Sequence, residues 1–179
     1  MFKKIIKIFI CFFFITLPLK AEQFYFEGNE ILILENGNKL QSKEGVKIKS
    51  SDNIVITSQN FDYDKINEHL LLEGNVYVND QNNKTTIKAE KVFYNRKNEK
   101  IETFGKTNIK IEDTYEITTG NIIFDRYSNK ILSKNKTIIK DTDKNLFISQ
   151  NLEFLINSKV LKAKKVKIDY ADGSSGYFE

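Results

Sequence analysis

Residues 54–78 read IVITSQNFDYDKINEHLLLEGNVYV. Apolar and polar residues alternate through Ile54 and Ile56, then Phe61 and Tyr63, and again through Leu70, Leu72, Val76 and Val78 after a charged turn. Successive side chains of a strand point to opposite faces, so the pattern predicts a strand, a corner, a second strand and a further corner, each strand with one buried face. The unit then returns. Residues 87–94 (IKAEKVFY) repeat its first half and residues 104–111 (FGKTNIKI) its second, followed by 117–124 (ITTGNIIF) and, more faintly, 148–154 (ISQNLEF).

Two sets of landmarks define the period. Ile56, Ile87, Ile117 and Ile148 are 31, 30 and 31 residues apart, and Gly45, Gly74, Gly105 and Asn135 at the matching corners are 29, 31 and 30 apart. A unit of this length with short strands and no helical spacing predicts a β-repeat in which each unit covers the apolar face of its neighbour. The alternation predicts strands at 24–26, 31–34, 46–48, 54–58, 61–64, 70–72, 76–78, 86–89, 92–95, 101–103, 108–111, 115–118, 122–125, 130–132, 137–139, 146–149, 152–156, 160–162 and 165–169. Gly74 is expected to turn the chain, and 171–176 to be a turn. The predicted interior is Ile56, Tyr63, Val76, Val78, Ile87, Val92, Ile109, Ile111, Ile117, Ile122, Phe124, Ile148 and Phe154.

The first residues obey other rules. Lys3, Lys4 and Lys7 precede an apolar run over 8–19, and Ala21 offers a small residue before Glu22, the pattern of a secretory signal peptide over 1–21. The run is shorter than the roughly 20 residues of a spanning helix, which favours cleavage over an uncleaved anchor. Four of the 28 basic residues and none of the 24 acidic ones lie in this segment, so residues 22–179 have a formal net charge of zero. Nucleic-acid binding needs Lys and Arg in excess on one face, and the balance argues against it. The remaining 158 residues suit a single domain.

Catalytic material is scarce. Beyond residue 21 there is no Cys, and the one His, His69, stands at the start of a predicted strand without the spacing of a triad or a zinc site. Asp62 with Asp64 and Asp141 with Asp143 pair acids two residues apart, but neither pair has the further acid and Gly spacing of a calcium loop. Solvated turn acids are the simpler reading. We therefore expect a protein that is not an enzyme and carries no cofactor and no metal.

The repeats, Ile56 to Tyr63 with Leu72-Glu73-Gly74-Asn75-Val76-Tyr77-Val78, then Ile87 to Tyr94 with Gly105 to Ile111, then Ile117 to Phe124, resemble the OstA-like lipopolysaccharide-transport family, LptA and the N-terminal periplasmic domain of LptD. The opening Phe24-Tyr25-Phe26-Glu27-Gly28-Asn29-Glu30-Ile31 looks more like the start of LptD chains. The resemblance implies an all-β fold, a β-jellyroll of antiparallel strands whose two sheets enclose an apolar trough. It further implies lipid A acyl chains of lipopolysaccharide as ligand, edge-to-edge pairing with other jellyrolls between the inner and outer membranes, and a periplasmic, outer-membrane-associated location. The chain lacks the C-terminal barrel of LptD and its cysteines, so a stand-alone bridge and a fragment that precedes a barrel, or has a barrel partner, both stay open. A membrane-anchored LptC-like jellyroll and a purely structural β-solenoid are the alternatives. A stack of strands leaves its terminal edges unpaired, and nothing blocks the first strand, so Phe24, Tyr25 and Phe26 are the expected edge for a partner strand.

Overall fold

In the computed structural model, residues 24–178 are described; the expected signal segment lies outside the described residues. Alternation becomes strands throughout. They are β1 (Phe24–Gly28), β2 (Leu32–Leu34), β3 (Lys39–Ser42), β4 (Val46–Ser50), β5 (Ile54–Ser58), β6 (Asn60–Asp64), β7 (His69–Asp80), β8 (Thr85–Asn95), β9 (Lys100–Phe104) and β10 (Thr107–Ile111). The second half adds β11 (Tyr115–Thr119), β12 (Ile123–Asp125), β13 (Lys130–Ser133), β14 (Thr137–Lys140), β15 (Leu146–Ser149), β16 (Leu152–Leu155), β17 (Val160–Lys162), β18 (Val166–Asp169) and β19 (Ser175–Phe178). All pairings are antiparallel.

The strands form two facing layers. Layer one runs β1, β4, β5, the second half of β7, the first half of β8, β10, β11, β14, β15, β18, β19. Layer two runs β2, β3, β6, the first half of β7, the second half of β8, β9, β12, β13, β16, β17. The chain crosses between layers at corner segments along one side and reverses within a layer at hairpin turns along the other. β7 and β8 pass through both layers without a break, and the register shift between Glu73 and Val76 is a bulge at Gly74 and Asn75. This corrects the expectation of separate strands at 70–72 and 76–78, and at 86–89 and 92–95. A Gly-Asn pair supplies positive φ (79° and 49°) to a bulge as readily as to a turn. β3 and β19 are additional to the predicted strands.

Residues directly opposite one another share a face. In layer one Phe26, Ile48, Ile56, Val78, Ile87, Ile109, Ile117, Ile139, Phe147 and Ile168 pair in one unbroken row. In layer two the row is Leu40, Tyr63, Leu70, Tyr94, Ile101, Phe124, Ile131, Phe154 and Leu161. The two rows face each other as the core. Burying each such side chain is worth about 1.5–3 kcal/mol.

The turns explain why rungs stack. Asn53, Glu68, Lys84, Glu99 and Asn129 hold positive φ in their turns, and each carbonyl accepts the backbone N–H of the next turn in its layer: Gln81, Arg96, Glu112, Arg126 and Ile156 at 2.8–3.1 Å. On the corner side of the C-terminal half, buried hydroxyls do the stitching. Thr103 pairs with Thr107 (2.6 Å), and Thr119 with Ser133 (2.8 Å) and Thr137 (3.0 Å).

Gly74 gives a test. A Cβ there would stand 2.4 Å from Gln59 Oε1 and 2.9 Å from Gln59 Cβ, whereas at Gly105, with similar φ, it would meet nothing. Gly74→Ala should therefore cost about 1–3 kcal/mol more than Gly105→Ala in urea unfolding, since only the first adds a clash to the common strain. Equal losses would disprove the bulge packing.

Candidate functional site

The space between the layers holds most of the predicted interior residues. Ile56, Val78, Ile87, Ile109 and Ile117 stand in the row of layer one, Tyr63, Phe124 and Phe154 in that of layer two, and Val76, Val92, Ile111 and Ile122 beside them; all are buried. Ile148 is the exception. It pairs with Ile138, which is 38% exposed, and with Lys167, so it faces outward. Its neighbour Phe147 takes the inward position and packs on the core. Phe24 and Phe26 of the expected edge turn their rings inward, while Tyr25 is exposed. Among the described residues β1 pairs with β4 and stands at one end of layer one.

The interior is not uniform along its length. At the N-terminal end five rings fill it: Phe24 meets Tyr63 (5.5 Å) and Tyr94 (5.9 Å) edge-on, and Phe26 stacks on Phe61 (5.1 Å). Through the middle, Ile87, Ile109 and Ile117 face Ile101, Phe124 and Ile131 with almost no exposure. Tyr115 of layer one meets Phe154 of layer two edge-on at 5.2 Å. Past that pair the packing opens into a cavity of about 360 Å³ lined by Tyr115, Ile139, Phe147, Leu161, Val166, Ile168 and Phe178. That volume is at the lower end of the usual range for small-molecule sites, and its lining is predominantly apolar.

A larger concavity, about 1240 Å³, is the outer face of layer one. Lys84, Lys88, Lys106 and Lys110 alternate there with Glu90, Glu112, Asp113 and Glu116, and Lys110 already pairs with Glu116 at 2.7 Å. Charged and internally paired, it has the character of a solvated sheet face. The smaller interior cavity is the candidate site.

A polar cluster lies on the turn side of the N-terminal half. Arg126 follows β12 in layer two and donates from Nε to Asp80 Oδ2 (2.7 Å) and from Nη1 to Asp52 Oδ2 (2.7 Å), both in layer one. Nη1 also donates to Tyr94 Oη (3.1 Å) and to Glu99 Oε2, and Tyr94 donates to Glu99 at 2.8 Å. The Arg126 side chain is 7% exposed, and Asp80 1%. Burial pushes the Tyr94 hydroxyl well above its ordinary range, so it stays a neutral donor. Desolvation pulls Arg126 down, but the hydrogen bond and charge of Asp80, with Tyr94 and Glu99, raise it further, so it stays charged. A second arginine, Arg96, lies over the Phe24 ring at 4.8 Å. These are the only arginines in a chain with 26 lysines, and they are 30 residues apart, one repeat. Sequence reasoning missed them, although their rarity and spacing were in plain view.

The remaining candidates are turn and strand furniture. Asp64 accepts the Asn67 N–H (2.9 Å) and Asp141 that of Asn145 (2.9 Å), as turn-capping acids do, and Asp62 accepts from Gln41 (2.6 Å). His69 contacts Asn95 Nδ2 at 3.2 Å and the Phe93 ring. Among the described residues no group of three or more His, Cys, Asp or Glu is arranged to hold a metal ion.

No protein-family model and no curated protein matches the chain. Among solved structures, LptH from Pseudomonas aeruginosa, described as the LptA homologous periplasmic component of the conserved lipopolysaccharide transport device, superposes with a TM-score of 0.57. The match has 10% identity and covers 72% of this chain and 95% of that one. The fold is the LptA-type β-jellyroll. At this identity the likeness concerns architecture, and every residue of the interior must be argued from its own contacts.

Asp52 allows a pH test of this jellyroll. Burial raises its pKa, but the Ser50 hydroxyl and Arg126 outweigh that and hold the folded value below the usual 3.8. The stability it contributes is thus present above pH 3.8 and lost as pH falls through the lower folded value. Asp52→Asn should cost about 1–3 kcal/mol at neutral pH and flatten the fall in stability below that point in acid titrations followed by circular dichroism. An unchanged acid limb would rule out the Asp52 contribution.

Proposed function

We propose that this chain is a non-enzymatic component of lipopolysaccharide transport, which shelters lipid A acyl chains in the cavity beyond Tyr115 and Phe154 and pairs through its strand edges with other jellyrolls. The observation that carries this reading is an apolar cavity at one end of an LptA-type jellyroll whose remaining interior is packed. The end strands β17 and β19 with exposed Val160, Tyr177 and Phe178, and the signal-like sequence over 1–21, support the bridging role and a periplasmic location. Residues 22–179 then act as one domain.

Energetics favour a half-open site. One methylene is worth about 0.8 kcal/mol, so an acyl chain of about a dozen carbons, fully enclosed, gains on the order of 10 kcal/mol. A carrier that enclosed several chains would not release them. A short cavity, open at its end, covers part of one chain and leaves transfer reversible.

A purely structural solenoid is the second reading, favoured by the close packing over most of the interior. Photocrosslinking separates the two. A photoreactive side chain at Phe147 or Ile168 should capture lipopolysaccharide, and one at outward-facing Tyr77 should not; Leu161→Asp should weaken binding about tenfold or more. Equal capture at all three positions would sink the carrier reading.

A further inference from the structure

The layers are joined by chain along the corner side only. On the turn side, among the described residues, no backbone hydrogen bond crosses between them; the turns bond within their own layer. Side chains alone hold this mouth. Arg96 reaches from layer two to Phe24, Arg126 to Asp52 and Asp80, and Lys159 Nζ to Glu112 Oε2 at 2.9 Å.

These ties are unequal. Arg126 is a planar fork buried among acids that would be left without their cation if it moved, so its part of the mouth is costly to open. Lys159 is a single charge on a flexible stem, 49% exposed, and Glu112 is 33% exposed. Such a pair is weak and is screened by salt. Its position matters more than its strength. Glu112 opens the turn that leads into Tyr115, and Lys159 precedes Leu161 by two residues; Tyr115 and Leu161 line the cavity from opposite layers. The weak tie therefore spans the mouth beside the cavity, and the strong ones lie over the packed half.

We propose that Lys159 and Glu112 form a lateral gate to the cavity, while Arg126 keeps the N-terminal part of the mouth shut. An acyl chain swings in sideways between the turns, and the anionic head group takes Lys159, and Lys84 at 3.7 Å from the other Glu112 oxygen, away from Glu112. This rests on the acyl-carrier reading above. The ligand class it selects is an acyl amphiphile with a negatively charged head, and the gating is built from the resident acid that the head replaces.

The test uses the purified chain with a fluorescent twelve-carbon fatty acid and its uncharged methyl ester, on the order of one cavity length. Glu112→Gln should raise the association rate of both about two- to fivefold. Lys159→Gln should raise that of the ester but weaken equilibrium binding of the acid by a similar factor. Glu112→Cys with Lys159→Cys, tied by a short bis-maleimide, should slow uptake of both about tenfold or more while the untied pair does not. Unchanged uptake in the tied protein would mean that chains enter from the open end, which overturns the gate and leaves the carrier intact; no uptake by the unaltered protein would remove the carrier reading itself. Hydrogen exchange checks the shut half. Arg126→Lys should speed exchange at the Gln81 and Arg96 amides and leave those of Asp141 and Tyr170 unchanged. A uniform rise along the chain would reduce Arg126 to general stability and overturn its part.

Discussion

Everything in this jellyroll depends on direct pairing of apolar residues across antiparallel strands. Val78 opposes Ile56 on one side and Ile87 on the other, and Ile87 in turn opposes Ile109. Because side chains alternate, a slip of one residue anywhere would bring Lys88 or Lys110 into the core and carry Ile87 or Ile109 out. Register is thus enforced by burial at every rung. The left-handed turn residues reinforce it, since each aims a carbonyl at the next turn of its own layer. β7 and β8 hold the two layers in one hydrogen-bonded network, so neither layer can shift alone.

Two layers joined along one side still have to be closed along the other, and arginine does this in the N-terminal half. A guanidinium can reach Asp80 through Nε and Asp52 through Nη1 in one plane, whereas an ammonium offers no fixed fork. In a chain that otherwise uses lysine for positive charge, that geometric need explains Arg126. Replacing the cluster with apolar residues would not necessarily weaken the fold, but removing Arg126 alone would leave the Asp52 and Asp80 carboxylates without its charge. The cluster is better understood as fixing which edges meet than as a large net source of stability.

The repeat, the layer-facing residues and the fold class were legible because they rest on alternation, which burial imposes locally. Where alternation fails, so did the reading. Phe147 and Ile148 are adjacent apolar residues, and only the partner strand, with Ile139 inward and Ile138 outward, decides between them. β3 has a single apolar residue, Leu40, and β19 begins Ser-Gly, so neither carries a pattern. Gly74-Asn75 looks the same as a turn or a bulge until a neighbouring strand continues past it. The cavity was illegible for a deeper reason. Phe124, which packs in layer two, and Phe147, which lines open space in layer one, are the same residue type facing the same interior, and nothing local in the sequence marks which stands nearer the end of the stack.

That difference bears on function. Interior side chains lose their exposure progressively from the ends toward the middle, but the two ends are finished differently: five aromatic rings and Arg96 close the first, while Leu161, Val166 and Ile168 leave the last half-covered. A protein whose trough was empty along its whole length would forfeit the burial that holds its layers together. Here the packed rungs supply the stability, and the incompletely packed ones are free to exchange contacts with a ligand at little cost to the rest. Under the proposed carrier reading, carriage is local to the open end, and a chain of such molecules would pass lipid between neighbouring ends without any single interior being hollow throughout.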